Sequence, residues 1–229
     1  NLINECITYG TKIIFTSSMA VYGDQTPPFT EDKRPQPIDP YGVAKYAVEC
    51  DLKLAHEQFG LRYNIVRPHN VLGVYQNIWD RYRNVIGIFI RKALNGQPIL
   101  VYGDGEQTRA FSDIKYYMEP FDKLLTGHDG ETFNIGADKH FSLNEVATTV
   151  QTIAAKYGYH VNIEHGEPRH EVKHAFCDHT KAKTLLNFED NTNLTELIES
   201  VFVWAMKQPN RKVKDMEYEV TKDIYDYWK

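Results

Sequence analysis

The sequence predicts an α/β fold, and three observations carry that expectation. The apolar run Lys12-Ile13-Ile14-Phe15 reads as a strand, and so does Tyr63-Asn64-Ile65-Val66-Arg67. Between them Tyr41 to Phe59 reads as a helix closed by Gly60, the residue suited to a left-handed cap. A later strand, Glu131-Thr132-Phe133-Asn134-Ile135-Gly136, is again followed by a helix, Ser142 to Ala155. Strands alternating with helices are the pattern of helices laid against a sheet.

Taken in order, Asn1 to Ile7 reads as the end of a helix stopped at Gly10. After the strand at Tyr63, a helix is expected over Val85 to Leu94, introduced by Asn84 and stopped by Gly96. Pro98-Ile99-Leu100-Val101-Tyr102 reads as a strand running into the turn Gly103-Asp104-Gly105. Ser142 and Glu145 have the spacing of a capping box at the start of their helix. Further helices are expected from Lys181 and over Leu194 to Met206. The aromatic, charged tail Tyr218 to Trp228 reads as packing or an interface.

Bulk properties exclude several function classes. A net charge of −5 over 229 residues leaves no basic footprint for nucleic acid. The longest apolar run, Val85 to Ile90, is far short of the ~20 residues a membrane span needs. Three scattered cysteines, Cys6, Cys50 and Cys177, suit neither a disulfide framework nor a metal site. With no signal peptide opening the sequence, a reducing, cytoplasmic setting is the expectation.

The chemistry concentrates between Thr16 and Lys45. Tyr41 and Lys45 stand four apart in a helical segment, so both side chains leave one face, a turn apart. An ammonium beside a phenol favours the phenolate, which makes the tyrosine a usable base near neutral pH. Ser18, at the end of the neighbouring strand, is placed to bridge that oxygen to a substrate hydroxyl.

Several motifs follow this one in order: Ser17-Ser18-Met19-Ala20-Val21-Tyr22-Gly23, Pro40-Tyr41-Gly42-Val43-Ala44-Lys45, Arg67-Pro68-His69-Asn70-Val71-Leu72-Gly73, and Gly103-Asp104-Gly105 with Gln107-Thr108-Arg109-Ala110-Phe111. Over roughly Leu2 to Met206 the chain resembles the extended short-chain dehydrogenase/reductase family, and within it the NAD-dependent nucleotide-sugar epimerases related to UDP-glucose 4-epimerase. The resemblance implies a Rossmann-type doubly wound parallel sheet plus a smaller α/β substrate-binding domain. Residues 1–70 with 111–136 would form part of the NAD-binding domain, and 71–110 with 137–229 the nucleotide-sugar-binding domain.

The resemblance also implies a site. Ser18, Tyr41 and Lys45 would be catalytic, while Ser17, Tyr41, Lys45, Pro68 and His69 would meet NAD. Ser18, Asn70, Asn84, Val85, Leu100, Tyr102, Arg109, Arg169, Glu171 and Ala175 would meet a UDP-sugar. Leu100 and Tyr102 would flank the uracil, and the Arg109 guanidinium would face phosphate. A small residue at Ala175, where relatives restricted to UDP-glucose carry a bulky aromatic, would leave room for an N-acetyl group. Met19 and Ala20 stand where dehydratases and decarboxylases of sugar nucleotides place a second acid, which favours epimerisation. A homodimer through the Tyr41 helix is the assembly that the resemblance implies.

Two departures stand out. The Gly-x-x-Gly-x-x-Gly turn that holds the dinucleotide pyrophosphate is absent, so either the sequence is a fragment of a longer protein or the cofactor site has been lost. Where relatives continue Tyr-x-x-Asp, this chain has Ser112-Asp113-Ile114-Lys115-Tyr116, which bears on the packing behind the site. Three function classes follow: a UDP-sugar 4-epimerase, a nucleotide-sugar-binding remnant without cofactor, and a zinc hydrolase built on His170-Glu171-x-x-His174. Pro168 just ahead and the alternation of Val172, His174 and Phe176 argue against the helix that the zinc motif requires.

Overall fold

A computed structural model describes residues 1–79, 84–168, 172–209 and 211. In chain order the elements are α1 (Leu2–Tyr9), β1 (Ile13–Thr16), α2 (Pro40–Phe59), β2 (Tyr63–Pro68), β3 (Val71–Leu72), α3 (Val85–Leu94), β4 (Ile99–Tyr102) and β5 (Thr108–Ala110). They continue with β6 (Ser112–Asp113), α4 (Met118–Thr126), β7 (Glu131–Ile135), β8 (His140–Ser142), α5 (Leu143–Lys156), β9 (Ile163–Gly166), β10 (His174–Ala175), α6 (Thr180–Leu186) and α7 (Leu194–Ala205).

The first sheet is parallel, in the order β1-β2-β7. Its central strand is buried from Tyr63 to Arg67, as a strand covered on both faces must be. On one face α1 and α2 pack Cys6, Leu52 and Ala55 against Ile65. On the other, α4 and α6 pack Leu124, Ala182 and Leu186 against Val66 and Phe133. Helices on both faces of a parallel sheet make this the doubly wound arrangement.

A second apolar core joins α3, β4, α5 and α7 through Ile86, Phe89, Val101, Val146, Val150, Ile198 and Phe202. Strand β4 pairs with β9, and β5 lies between β10 and β8. In β4, Ile99 and Val101 are buried while Leu100 and Tyr102 share the less covered face.

Local signals explain the element ends. Gly10 and Gly60 close α1 and α2 at φ of 64° and 70°. Asp39 caps α2 by accepting from the Gly42 amide at 2.7 Å, with Pro40 at the first helical position. The Ser142/Glu145 capping box opens α5. The alternation of Val172, His174 and Phe176 marks β10, but the sequence does not mark α4, the 3-10 turns Met19–Tyr22 and Ile114–Tyr117, or the other two- and three-residue strands. Such strands are too short for a period of two to register.

Candidate active site

The register of the first sheet sets up the site. Thr16 pairs with Val66 and Arg67 with Asn134, so the chain leaves β1, β2 and β7 at one edge of the sheet. In open α/β sheets ligands bind in the crevice outside this carboxyl edge. There a cavity of about 380 Å³ is lined by Ser18, Tyr41, His69, Asn70, Arg109 and Ala175, with Met19, Ala20 and Asp39 in its wall.

Each lining group has a local reason to be there. Ser18 follows β1 and caps the turn Met19–Tyr22, its Oγ accepting from the Ala20 amide at 3.1 Å. Tyr41 sits in the first turn of α2 with 57% of its surface exposed. Gly42 seats that turn: a Cβ there would lie 2.7 Å from the Ala20 carbonyl oxygen. Lys45, one turn on, donates to the Thr16 carbonyl at 2.8 Å, and its Nζ lies 5.7 Å from the Tyr41 ring centre. Asn70 leaves β2 at a φ of 41° and donates to the Ala110 carbonyl at 2.8 Å. Arg109 and Ala175 are register partners on β5 and β10, which places both in one wall.

The other expected residues lie elsewhere. Ser17 is 2% exposed and its hydroxyl donates to Glu49 at 2.6 Å, so its side chain faces away from the cavity. Asn84 is engaged at the start of α3, accepting from the Gly87 amide and donating to Gln76, with Val85 beside it outside the cavity wall. Leu100 and Tyr102 share a face of β4, and Tyr102 opens a separate cleft of about 850 Å³ with Gln107, His165 and Lys173. Arg169, His170 and Glu171 fall outside the described residues, as does the tail from Tyr218. His174 lies on strand β10, with Nδ1 2.9 Å from Thr108 Oγ, and not on the helix a zinc motif would use.

A match to the NAD dependent epimerase/dehydratase family spans residues 1–136. The chain belongs to that family. It is 32% identical over 227 residues to a UDP-N-acetyl-alpha-D-glucosaminuronate decarboxylase of Bacillus cytotoxicus, covering 92% of this chain and 68% of the relative. It is 28% identical over 208 residues to a UDP-glucuronate 4-epimerase of Thermodesulfobacterium geofontis, covering 90% of this chain and 62% of the relative. Its fold matches the UDP-glucose 4-epimerase of Thermotoga maritima solved with UDP-glucose, at a TM-score of 0.81 and 30% identity, over 90% of this chain and 67% of that one. The chain thus spans about two thirds of the length of these relatives.

This member of the epimerase/dehydratase family holds two polar arrays that sequence reasoning missed, one fully buried and one that runs from two buried histidines to an exposed Asp138 and Lys183. In the first, Arg67 and Glu49, 1% and 0% exposed, form a two-pronged pair: Nε donates to Oε1 at 2.9 Å and Nη2 to Oε2 at 2.6 Å. Arg67 Nη1 donates to the Tyr22 hydroxyl at 2.8 Å, which donates on to Asn134 Oδ1 at 2.8 Å. Burial alone would lower the Arg67 pKa, but the Glu49 carboxylate and Tyr22 oxygen outweigh it and hold the guanidinium charged. Burial raises the Tyr22 phenol well above its ordinary range, so it stays a neutral donor.

In the second array His69 Nε2 lies 2.8 Å from His179 Nε2, and His179 Nδ1 lies 2.9 Å from Asp138 Oδ1. Lys183 donates to the other Asp138 oxygen at 2.6 Å. Burial drives the His69 pKa down to about 3, helped by His179, so the ring is neutral at ordinary pH. The hydrogen bond from His179, with Lys183 beside it, brings the Asp138 carboxyl down to about 2. The array fits only because residue 136 is glycine, since a Cβ there would lie 2.0 Å from His69 Nε2. Ser112, at the departure from Tyr-x-x-Asp, is buried and ties this corner together: its hydroxyl donates to the His69 carbonyl at 3.1 Å and accepts from the Ala137 amide at 2.7 Å.

Proposed function

We propose that this chain carries the substrate-facing part of an NAD-dependent 4-epimerase of UDP-sugars. The observation that carries the reading is the 380 Å³ cavity, where Ser18, Tyr41, Asn70, Arg109 and Ala175 meet at the carboxyl edge of the sheet. In this reading Tyr41 accepts the proton of the sugar 4-hydroxyl and Ser18 orients that hydroxyl. Lys45, fixed on the Thr16 carbonyl, supplies positive charge beside the phenol. The sugar, oxidised to its 4-keto form, turns over in the cavity and is reduced from the opposite face. Arg109 and Asn70 hold the diphosphate side of the substrate, and the uracil is assigned to the separate cleft that Tyr102 opens from β4.

NAD, when bound, supplies the hydride acceptor and donor. In this reading Tyr41, Lys45 and the Pro68-His69 backbone, at the edge of the sheet, would serve its nicotinamide end. A glycine-rich turn for its pyrophosphate is not among the 229 residues, so turnover is proposed for a polypeptide that includes one. In this proposal residues 1–70 with 111–136 serve the cofactor, and 71–110 with 137–229 serve the nucleotide sugar. A homodimer through α2, which exposes Val43, Val48, Leu54 and Phe59, belongs to the same proposal.

Epimerisation is preferred over decarboxylation because of what the wall can donate. Met19 and Ala20 carry no proton to transfer, and Asp39 is held at the start of α2 with its Oδ1 accepting from the Gly42 amide. The small, buried Ala175 favours a substrate with an N-acetyl group. Calorimetric titration of this chain with UDP-glucose, UDP-N-acetylglucosamine and NAD tests the reading. Binding of the UDP-sugars, the N-acetylated one included, with conversion at C4 when cofactor binding is complete, is the expected result. Binding without conversion in a cofactor-loaded protein would favour a nucleotide-sugar-binding role, and failure to bind any UDP-sugar would defeat both.

A further inference from the structure

We infer that the buried Glu49–Arg67 pair, with Ser17 and Tyr22, is the positioning device for Tyr41, which lines the cavity, and for Lys45 one turn along the same helix. The inference deepens the proposed function and rests on it for the roles of Tyr41 and Lys45. Tyr41, Lys45 and Glu49 recur every four residues on α2, so one helical stripe carries the base, the cation and the anchor. Glu49 uses both carboxylate oxygens. Oε1 accepts from Ser17 at 2.6 Å and from Arg67 Nε at 2.9 Å, and Oε2 accepts from Arg67 Nη2 at 2.6 Å.

Each member of the array sits next to a segment that enters the cavity. Ser17 precedes Ser18. Arg67 precedes Pro68, His69 and Asn70. Tyr22 ends the turn that Ser18 caps, and its hydroxyl joins Arg67 to Asn134 on β7. The helix is therefore strapped to the segment that follows β1, to β2 and, through Tyr22, to β7, with Ser17 one residue from Ser18 and Glu49 one turn from Lys45.

Energetics favour positioning over stabilisation as the reason for the pair. Taking two charges out of water consumes most of what their attraction returns, and well-packed apolar replacements are often neutral or stabilising. What such replacements lose is direction: a two-pronged charge pair with two further hydroxyls admits one register, whereas an apolar contact admits several. A slip of α2 along the sheet would carry Tyr41 and Lys45 away from Ser18 together.

The test is the double variant Glu49→Leu/Arg67→Met, studied by thermal melting and residue-resolved amide exchange. The expected result is a melting temperature equal to or above that of the parent, with exchange about tenfold faster in segments 17–23 and 41–49 and unchanged in α5 and α7. Unchanged exchange in those two segments, or a lowered melting temperature with faster exchange throughout, overturns the inference. Should the double variant not fold, Tyr22→Phe removes only the hydroxyl bridge; faster exchange confined to the same segments supports the inference, and no local change overturns it. In a cofactor-loaded parent that converts a UDP-sugar, the double variant should keep KM within about threefold and lose about tenfold or more in kcat. A parent that converts none contradicts the proposed reaction, while the exchange data still decide the positioning claim.

Discussion

At the scale of single residues, the cavity and the arrays behind it make separate demands. Tyr41→Phe removes the proposed base without disturbing the buried core, since the side chain is largely exposed. Turnover in cofactor-loaded protein should fall about 10²- to 10⁴-fold with UDP-sugar affinity retained, as parallel rate and calorimetric measurements would reveal. Arg67→Met is a different kind of change: it strands the Glu49 carboxylate in the core and should cost about 3–5 kcal/mol in a denaturant melt. His69 sets a pH dependence. Its folded pKa of about 3 lies below an unfolded value of about 6.5, so the unfolded chain takes up a proton that the fold refuses as pH drops through that interval. This residue's share of stability is complete above pH ~6.5 and shrinks by about 1.4 kcal/mol per pH unit below it. His69→Phe should flatten that slope in melts recorded between the two values. Tyr41, Lys45 and Ser18 were legible because their partners are near in sequence or belong to an ordered set of motifs. Glu49 with Arg67, and His69 with His179 and Asp138, were not, because their contacts exist only once the sheet register and the start of α6 are set.

At the scale of elements, close approach of α2 to the turn Met19–Tyr22 matters more than helix propensity. Gly42→Ala would improve the intrinsic propensity of α2. Its Cβ, however, meets the Ala20 backbone at 2.7 Å and Pro37 at 2.9 Å. A backbone oxygen cannot swing aside as a side-chain tip can, so the variant should lose about 1–3 kcal/mol in a urea melt. The long elements were readable in advance. Helix α2 has a capping Asp39, a proline at its first position and a closing glycine, and α5 has its capping box. Helix α4 was not readable, having nine residues with Pro120 among them. Strands β5, β8 and β10 pair through only two or three residues each, and that small sheet still brings Arg109 and Ala175 to one wall.

At the scale of the whole molecule, two packed cores leave a crevice at the carboxyl edge of the first sheet, where the doubly wound arrangement puts ligands. The fold class was legible from alternating strands and helices, and the family from the order of its motifs. Asn84 was legible as the residue that introduces α3; what was not legible is its contact with Gln76, which exists only in the folded chain. The central claim is that the 380 Å³ cavity receives the sugar of a UDP-sugar. The most direct measurement is an amide NMR titration of this chain with UDP-N-acetylglucosamine. The account predicts saturable shifts at Ser18, Ala20, Asn70, Ala110 and Ala175. Saturable shifts confined to another cleft on the molecule, lined by Tyr116, Asp138, Lys183 and Asp190, with those five amides unmoved, would contradict it.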